Sequence, residues 1–179
     1  MKNGRIGAEE YERLSADAAR EIDPDIDERA MSMVFNLVRA SNQIIKRLES
    51  RVLRDADMNF SSYGVLFSLR AVGETNPNEL ARLSGVSTAS MSSLLNTMSR
   101  KQLITRRPDP DDGRRTLVQL TGKGEELLAE LIVLVNGQER EWADRLSVEE
   151  GSILVLLLRR MLSHRSATNQ TDESETPNE

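Results

Sequence analysis

The chain has 179 residues, of which 38% are apolar and 30% charged, and its net charge is −5 at neutral pH. This length and composition are typical of one soluble domain, and the scarcity of aromatic, Gly and Pro residues favours a mostly helical fold. The absence of cysteine excludes disulfides, thiolate metal sites and thiol-based redox sensing. Because no apolar run approaches the roughly 18 residues that span a bilayer, and the N-terminus lacks the apolar core of a signal peptide, we expect a cytoplasmic protein.

The charge is distributed unevenly along the chain. The segment Asn76–Leu120 contains seven basic and four acidic residues, a net charge of +3, which leaves −8 for the rest of the chain. An acidic body with one basic segment is an electrostatic pattern found in proteins that bind nucleic acid. The segment is therefore the first candidate for a binding surface.

The N-terminal part of the chain is predicted to be helical. Residues 1–24 form a polar extension with a short helix over Ala8–Arg20, and Asp23-Pro24 is predicted to begin the next helix, with Asp as its N-cap. Apolar residues then recur at helical spacing, which predicts an amphipathic helix of nearly 30 residues, about 40 Å long, within 25–58. A small domain cannot cover so long a helix, so we expect it to form part of a dimer interface.

The next segment, 59–120, fits a helix-turn-helix followed by a hairpin. Ser61 is predicted to cap a helix that ends at Gly73, and Asn76-Pro77-Asn78-Glu79 resembles a capping box that begins a short helix. Ser87 is predicted to cap the following helix, Thr88–Lys101. Apolar side chains at positions that such a motif buries support this interpretation. They are Leu80, Leu83, Val86, Met91, Leu94, Leu95 and Met98.

The opposite face of the Thr88–Lys101 helix carries small side chains that form hydrogen bonds. Short side chains let a helix enter a major groove and offer donors to base edges, and a helix N-terminus suits a phosphate oxygen. A solvent-facing helix in any small helical domain would show the same pattern. The candidate DNA-binding residues of this helix are Ser87, Thr88, Ala89, Ser90, Ser92, Ser93, Asn96, Thr97 and Arg100.

Two short extended runs, Leu103–Arg107 and Arg114–Leu120, flank a stretch of turn-forming residues and predict a hairpin. Its basic residues are Arg106, Arg107, Arg114 and Arg115. Arginines on a thin ribbon can enter a minor groove, and Asp112 is predicted to pair with Arg114 and hold its direction. An ordinary solvated turn with mutually paired charges is the alternative. A helix-turn-helix followed directly by a basic hairpin nevertheless indicates a winged helix.

The C-terminal part is predicted to contain two more helices within 121–164. The second is capped at Ser147 and is apolar almost all round, which suggests that it is covered on more than one side. We therefore expect a homodimer that displays two recognition helices about one DNA turn apart and binds a pseudo-palindrome. The acidic tail, 165–179, is expected to be disordered.

Over roughly Asp25–Leu162 the order of these elements resembles the MarR family of transcriptional regulators. The most specific match is the segment Arg106–Arg115 with the strand-to-helix junction that follows it, Val118–Gly124. The resemblance implies a mainly α fold with a small β-hairpin wing, a winged helix-turn-helix lobe and long dimerisation helices. It also implies that Thr88–Arg100 is the recognition helix, that Asp112 and Arg114 match the family's wing-tip Asp-x-Arg pair, and that Arg114 enters the minor groove.

The resemblance further implies a ligand-responsive repressor that acts on double-stranded DNA. Members of the family commonly bind small, often phenolic or anionic, effectors between the dimer helices and the DNA-binding lobe. The candidate effector-binding residues are Arg39, Asn42, Met58, Tyr63, Phe67 and Arg70. The alternative is that Met58 and Phe67 belong to the core and that the arginines are solvated.

Two other classes of protein are alternatives to a DNA-binding regulator. A hydrolase needs a nucleophile beside a base, but the chain has no Cys and its single histidine, His164, stands next to the acidic tail. Catalysis by carboxylates alone stays open, but the acids stand mostly at helix starts, in turns or in tails, where solvation explains them. We expect no catalytic residues, no metal and no cofactor. The second class is a helical interaction module that uses a winged helix to bind a protein. Steep salt dependence of binding would separate DNA binding from that alternative.

Overall fold

The computed structural model describes residues 6–163, and the predicted tail and His164 lie outside this part of the chain. Its helices and strands, with a π-helical turn over Glu49–Leu53, follow in chain order. They are α1 (Ala8–Ile22), α2 (Glu28–Leu48), α3 (Phe60–Val72), α4 (Pro77–Ser84), α5 (Thr88–Arg100), β1 (Ile104–Pro108), β2 (Thr116–Leu120), α6 (Gly122–Ala143) and α7 (Val148–Ser163). This confirms the predicted mainly α fold with one hairpin. The chain divides into two compact units, one ending at Glu125 and the other beginning at Glu126.

The prediction that Asp23 caps the second helix was wrong. The Asp23 amide donates to the carbonyl of Ala19 at 2.9 Å and ends α1, and its carboxylate accepts the amide of Asp25 at 3.0 Å. Aspartate often bonds to its own backbone two residues on, and here that turn competes with helix capping. Asp27 caps α2 instead, by accepting the amide of Ala30 at 2.9 Å. The predicted long helix is otherwise present, because α2 continues into the π-helical turn.

The helix α3 also begins earlier than predicted. Asn59, and not Ser61, is the N-cap, since its side chain accepts the amide of Ser62 at 2.8 Å. Asparagine outranks most residues at this position because its short side chain reaches the free amides of the first turn. The predicted end at Gly73 is confirmed by that residue's φ of 78°, which glycine adopts without steric cost.

The helix-turn-helix, α4 and α5, has the predicted caps. Asn76 accepts the amide of Glu79 at 3.0 Å, and Ser87 accepts the amide of Ser90 at 3.2 Å. Gly85 lies between the two helices in the left-handed conformation, with a φ of 66°. These local bonds fix where each helix begins and how the chain reverses between them.

The core of this lobe is formed by apolar side chains of α3, α4, α5 and the hairpin. The buried ones are Met58, Val65, Leu66, Leu69, Leu80, Ala81, Met91, Leu95, Met98, Leu103, Ile104 and Val118. Leu83 does not belong to it, contrary to the prediction, and is 39% exposed. The inner face of α4 is centred between Leu80 and Ala81, and at about 100° per residue Leu83 falls roughly 100° away from that centre.

The hairpin pairs β1 with β2 in antiparallel register, with Ile104 opposite Leu120 and Arg106 opposite Val118. Val118 also exchanges both of its backbone hydrogen bonds with Thr75, at 2.8 and 3.1 Å. The chain just before α4 thus supports the outer side of β2. The second extended run was predicted to begin at Arg114, but β2 begins at Thr116. Arg114 and Arg115 therefore lie in the turn.

The helices α6 and α7 follow the hairpin, as predicted. Ser147 and Glu150 form the predicted capping box, in which the Ser147 amide donates to the Glu150 carboxylate at 2.8 Å and the Glu150 amide donates to the Ser147 hydroxyl at 3.2 Å. Leu128, Leu131 and Val135 are buried residues of α6. None of the described residues of α7 is buried.

Among the described residues, 6–163, none of the helices has the length and apolar character needed to cross a membrane.

Candidate nucleic-acid interface

One face of α5 is exposed and carries nearly all the residues predicted for it. Met91, Leu95 and Met98 are 1% exposed and hold the helix against the core. The residues of the other face are exposed, apart from the half-buried Thr97. The exposed ones are Ser87, Thr88, Ala89, Ser90, Ser92, Ser93, Asn96 and Arg100. The structure thus brings these candidates together on one surface.

Some hydroxyls of this face are already bonded and others are free. The Ser87 hydroxyl accepts the amide of Ser90, and the Thr97 hydroxyl donates to the carbonyl of Ser93 at 3.2 Å. The side chains of Ser92 and Ser93 form no hydrogen bond with any residue between 6 and 163. The middle of the helix therefore offers unpaired donors and acceptors to a ligand.

Arg106 and Arg107 are neighbours in β1 but point to different partners. Successive side chains of a strand alternate between its two faces. Arg106 donates from Nη1 to Oδ1 of Asn96 at 2.9 Å, which links the hairpin to α5. Arg107 forms a bidentate pair with Glu74, with Nε–Oε1 at 2.8 Å and Nη2–Oε2 at 2.5 Å. Glu74 was not among the predicted site residues, although an acid directly before the α4 cap region was a usable signal.

The pair between Arg107 and Glu74 reduces what Arg107 can offer to a ligand. The hydrogen bonds that Arg107 donates to Glu74 raise the pKa of Arg107 above its ordinary value. Its guanidinium is thus permanently charged and already neutralised. We infer that Arg107 holds the outer end of β1 to the chain before α4 more than it contributes to a free basic surface.

At the tip of the hairpin Asp112 organises both arginines, but not as predicted. Its carboxylate accepts the backbone amide of Arg114 at 3.1 Å and pairs with Nε of Arg115 at 3.2 Å. The predicted side-chain pair between Asp112 and Arg114 is therefore not formed. The Arg114 guanidinium is exposed and has no hydrogen-bond or ion-pair partner within the described part of the chain.

The ion pairs divide the seven basic residues of Asn76–Leu120 into two groups. Four of them are paired with acids, as Arg82–Glu79, Lys101–Asp57, Arg107–Glu74 and Arg115–Asp112. The hydrogen bond from Lys101 holds the pKa of Asp57 below its ordinary range, so this acid stays charged. Arg100, Arg106 and Arg114 have no ion pair among residues 6–163. These three supply the unneutralised positive charge of the surface.

The six effector-binding candidates lie on α2, on α3 and directly before α3. Met58 is 8% exposed and borders a cleft of about 610 Å³ between the start of α3 and α5. The rings of Tyr63 and Phe67 lie 6.2 Å apart on α3, and Phe67 is 49% exposed. Arg39 contacts the Ala8 carbonyl at 3.4 Å. The remaining two, Asn42 and Arg70, are exposed, and neither borders the cleft.

Comparisons with known proteins identify relatives of this chain. The MarR family model matches residues 56–115. The HTH-type transcriptional regulator YwaE of Bacillus subtilis is 26% identical over 164 residues, 92% of this chain and 95% of that protein. The multiple antibiotic resistance protein MarR of Escherichia coli is 30% identical over 128 residues, 70% of this chain and 88% of that protein.

A solved structure adds a match in three dimensions. The crystal structure of a mutant MarR from E. coli complexed with operator DNA is similar to this chain with a TM-score of 0.66 and 27% identity. The match covers 80% of this chain and 96% of that one. The relative YwaE is a transcriptional regulator. The chain belongs to the MarR family of winged-helix transcriptional regulators.

Proposed function

We propose that this regulator binds operator DNA with α5 in the major groove and the tip of the hairpin in the minor groove. The observation that carries the proposal is the continuous surface formed by the exposed face of α5 and the hairpin, which the Asn96–Arg106 hydrogen bond joins. The operator DNA in the structure of the related MarR protein supports it. That relationship favours DNA over the protein partner of a helical interaction module.

The proposal gives the residues of this surface different tasks. Ser92, Ser93 and Asn96 face the base edges, where unpaired polar groups read sequence. The N-terminal turn of α5, from Ser87 to Ser90, contacts phosphate oxygens. Arg114 enters the minor groove, because its guanidinium has no partner in the described part of the chain and minor-groove potential attracts arginine. Arg107 and Arg115 contribute less, since an acid already neutralises each of them.

We also propose that the protein acts as a homodimer on a pseudo-palindrome. The helix α2 exposes apolar side chains, among them Met33 and Val34 at 53% and 50%. Apolar side chains of α7 are exposed as well, including Leu156 at 66% and Leu162 at 71%. Burial of such surface against a second copy is favourable at about 25 cal/mol per Å². The segments 25–58 and 121–164 are the proposed dimerisation elements.

The oligomeric state can be measured directly. Multi-angle light scattering at micromolar concentration is expected to give twice the 20.1 kDa mass of one chain, because the apolar faces of α2 and α7 need a partner. A mass of one chain at that concentration would contradict the dimer.

Binding to the DNA upstream of the protein's own gene tests the function. We expect protection of a palindrome of roughly 16–20 base pairs, since two recognition helices one turn apart span about that length. A mutant with Ser92 and Ser93 both replaced by Ala, changes on an exposed face, is expected to lose the footprint while it keeps its thermal unfolding midpoint. Uniform, sequence-independent coverage of the DNA would count against operator recognition.

We further propose that the protein represses transcription in the cytoplasm and that a small aromatic or anionic effector releases it from the DNA. The cleft beside Met58 supports an effector, because it borders α5 and contains polar groups of Asn59, Ser90 and Thr97. A ligand in this position would contact the recognition helix directly. The other effector candidates stay predictions.

A further inference from the structure

The hydrogen bond between Arg106 and Asn96 fixes the orientation of the Asn96 side-chain amide. An arginine side chain has only donors, so the atom that faces its Nη1 at 2.9 Å must be the oxygen Oδ1. The NH₂ group of Asn96 therefore points away from Arg106. Asn96 makes no other side-chain hydrogen bond within residues 6–163, so this NH₂ group is unused.

Both ends of this hydrogen bond are held by rigid structure. Arg106 stands opposite Val118 in the hairpin, and Val118 is also bonded to Thr75 on its other side. Asn96 follows Leu95, which is 1% exposed and anchors α5 in the core. The side chains of β1 that share a face with Arg106 include the buried Ile104. This face is directed toward the lobe, which explains why Arg106 reaches α5 while Arg107 reaches Glu74.

The fixed orientation limits which base edge Asn96 can recognise. A free asparagine reads adenine with two bonds, one accepted by Oδ1 and one donated by the NH₂ group. In this protein one side of Oδ1 is committed to Arg106. The remaining NH₂ group needs an acceptor, which purine N7, guanine O6 and thymine O4 provide in the major groove, whereas cytosine presents a donor.

We propose that Arg106 is a specificity-positioning residue, which locks Asn96 as a hydrogen-bond donor toward an acceptor on one base of each half-site. The inference rests on the proposed binding of DNA and goes beyond it, because it assigns a sequence preference to one pair of side chains. Arg106 then acts through Asn96 and not as a minor-groove reader. Replacement of that base by cytosine should weaken binding.

The test uses the duplex protected in the upstream DNA and a series in which each base pair is replaced in turn. Affinities of the wild type, Asn96→Ala, Arg106→Ala and Arg107→Ala are measured by fluorescence anisotropy. The wild type is expected to discriminate roughly three- to tenfold at one position of each half-site, the size of one hydrogen bond. Asn96→Ala should lose this discrimination, and Arg106→Ala should weaken or change it at the same position.

The control separates positioning from the loss of a charge. Arg107→Ala removes the same kind of side chain from the next position of the strand, where it is bonded to Glu74 and not to Asn96. Any effect on affinity is therefore expected to be the same factor for every duplex. A uniform effect of Arg106→Ala would overturn the inference while leaving DNA binding intact. Full discrimination in Asn96→Ala would overturn it as well. A wild type that binds no duplex would overturn the proposed function itself, and the assignment with it.

Discussion

Replacement of Gly124 by Ala is expected to lower the free energy of unfolding by about 3 kcal/mol, the upper range for added atoms in a packed site. Gly124 lies in the first turn of α6, and a Cβ atom there would collide with the carbonyl oxygen of Leu103. The same atom would stand 3.1 Å from the Leu103 carbonyl carbon and 3.3 Å from Cδ2 of Leu120. Relief requires movement of backbone, because rotation of a side chain cannot displace a carbonyl group.

The movement would also disturb the junction between the hairpin and α6. The Leu103 carbonyl accepts the amide of Thr121 at 3.1 Å, and the Thr121 hydroxyl caps α6 by accepting the amide of Gly124 at 3.0 Å. Displacement of the first turn therefore weakens the connection that places β2 against the lobe.

Gly137 provides the control for this substitution. It lies on the same helix, but among residues 6–163 no atom outside its chain neighbours and the backbone of its own helix lies within 4 Å of the position where its Cβ would be. Gly137→Ala should stabilise the protein by up to about 1 kcal/mol, because alanine favours the helix. Urea unfolding followed by circular dichroism measures both. Equal unfolding midpoints for the two variants would contradict the steric account of Gly124.

Arg114→Ala is expected to weaken binding to the protected duplex by about 1–3 kcal/mol, the range for a groove contact. The Arg114 guanidinium is exposed and has no partner among residues 6–163, and the bond from its amide to Asp112 holds its backbone in the turn. Its side chain can thus enter a groove without first breaking an internal ion pair. The free energy of unfolding should stay unchanged, since the side chain contributes no contact to the core.

Arg115→Ala is the matched comparison, because it removes the same charge from the adjacent position. Because Arg115 is paired with Asp112, Arg115→Ala should weaken DNA binding less than Arg114→Ala does. Anisotropy titrations of both variants on one duplex make the comparison. A larger loss for Arg115→Ala than for Arg114→Ala would reverse the assignment of the groove reader.

Features set by neighbours in the chain could be predicted from the sequence. The caps Asn76 and Ser87 each accept an amide three residues on, and the reversal at Gly85 depends on that glycine's own positive φ. All three features are confirmed. The choice between two nearby aspartates could not be made, because Asp23 and Asp27 have the same capping chemistry. Only the turn formed by Asp23 with Asp25 leaves the cap to Asp27.

Contacts between residues far apart in the chain could not be predicted from the sequence. The sequence predicted a basic hairpin, but it did not predict which residue each arginine contacts. Arg107 donates hydrogen bonds to Glu74, which is 33 positions away, and Arg106 donates to Asn96 on α5. Such pairs depend on strand register and on the packing of α5 against β1. They decide which arginines remain free, and hence which residues of the candidate surface carry its function.

The salt dependence of binding to the protected duplex tests the central claim most directly, namely that the α5–hairpin surface binds DNA. Two subunits present six arginines without ion pairs in the described residues, Arg100, Arg106 and Arg114 of each copy. Contacts of about six phosphates should lower the affinity about 10³-fold between roughly 50 and 200 mM salt, because bound counterions are released. We expect such a decrease, with tighter binding to the palindrome than to a scrambled duplex at every salt concentration. An affinity that does not change with salt, or is equal for the two duplexes, would contradict the account.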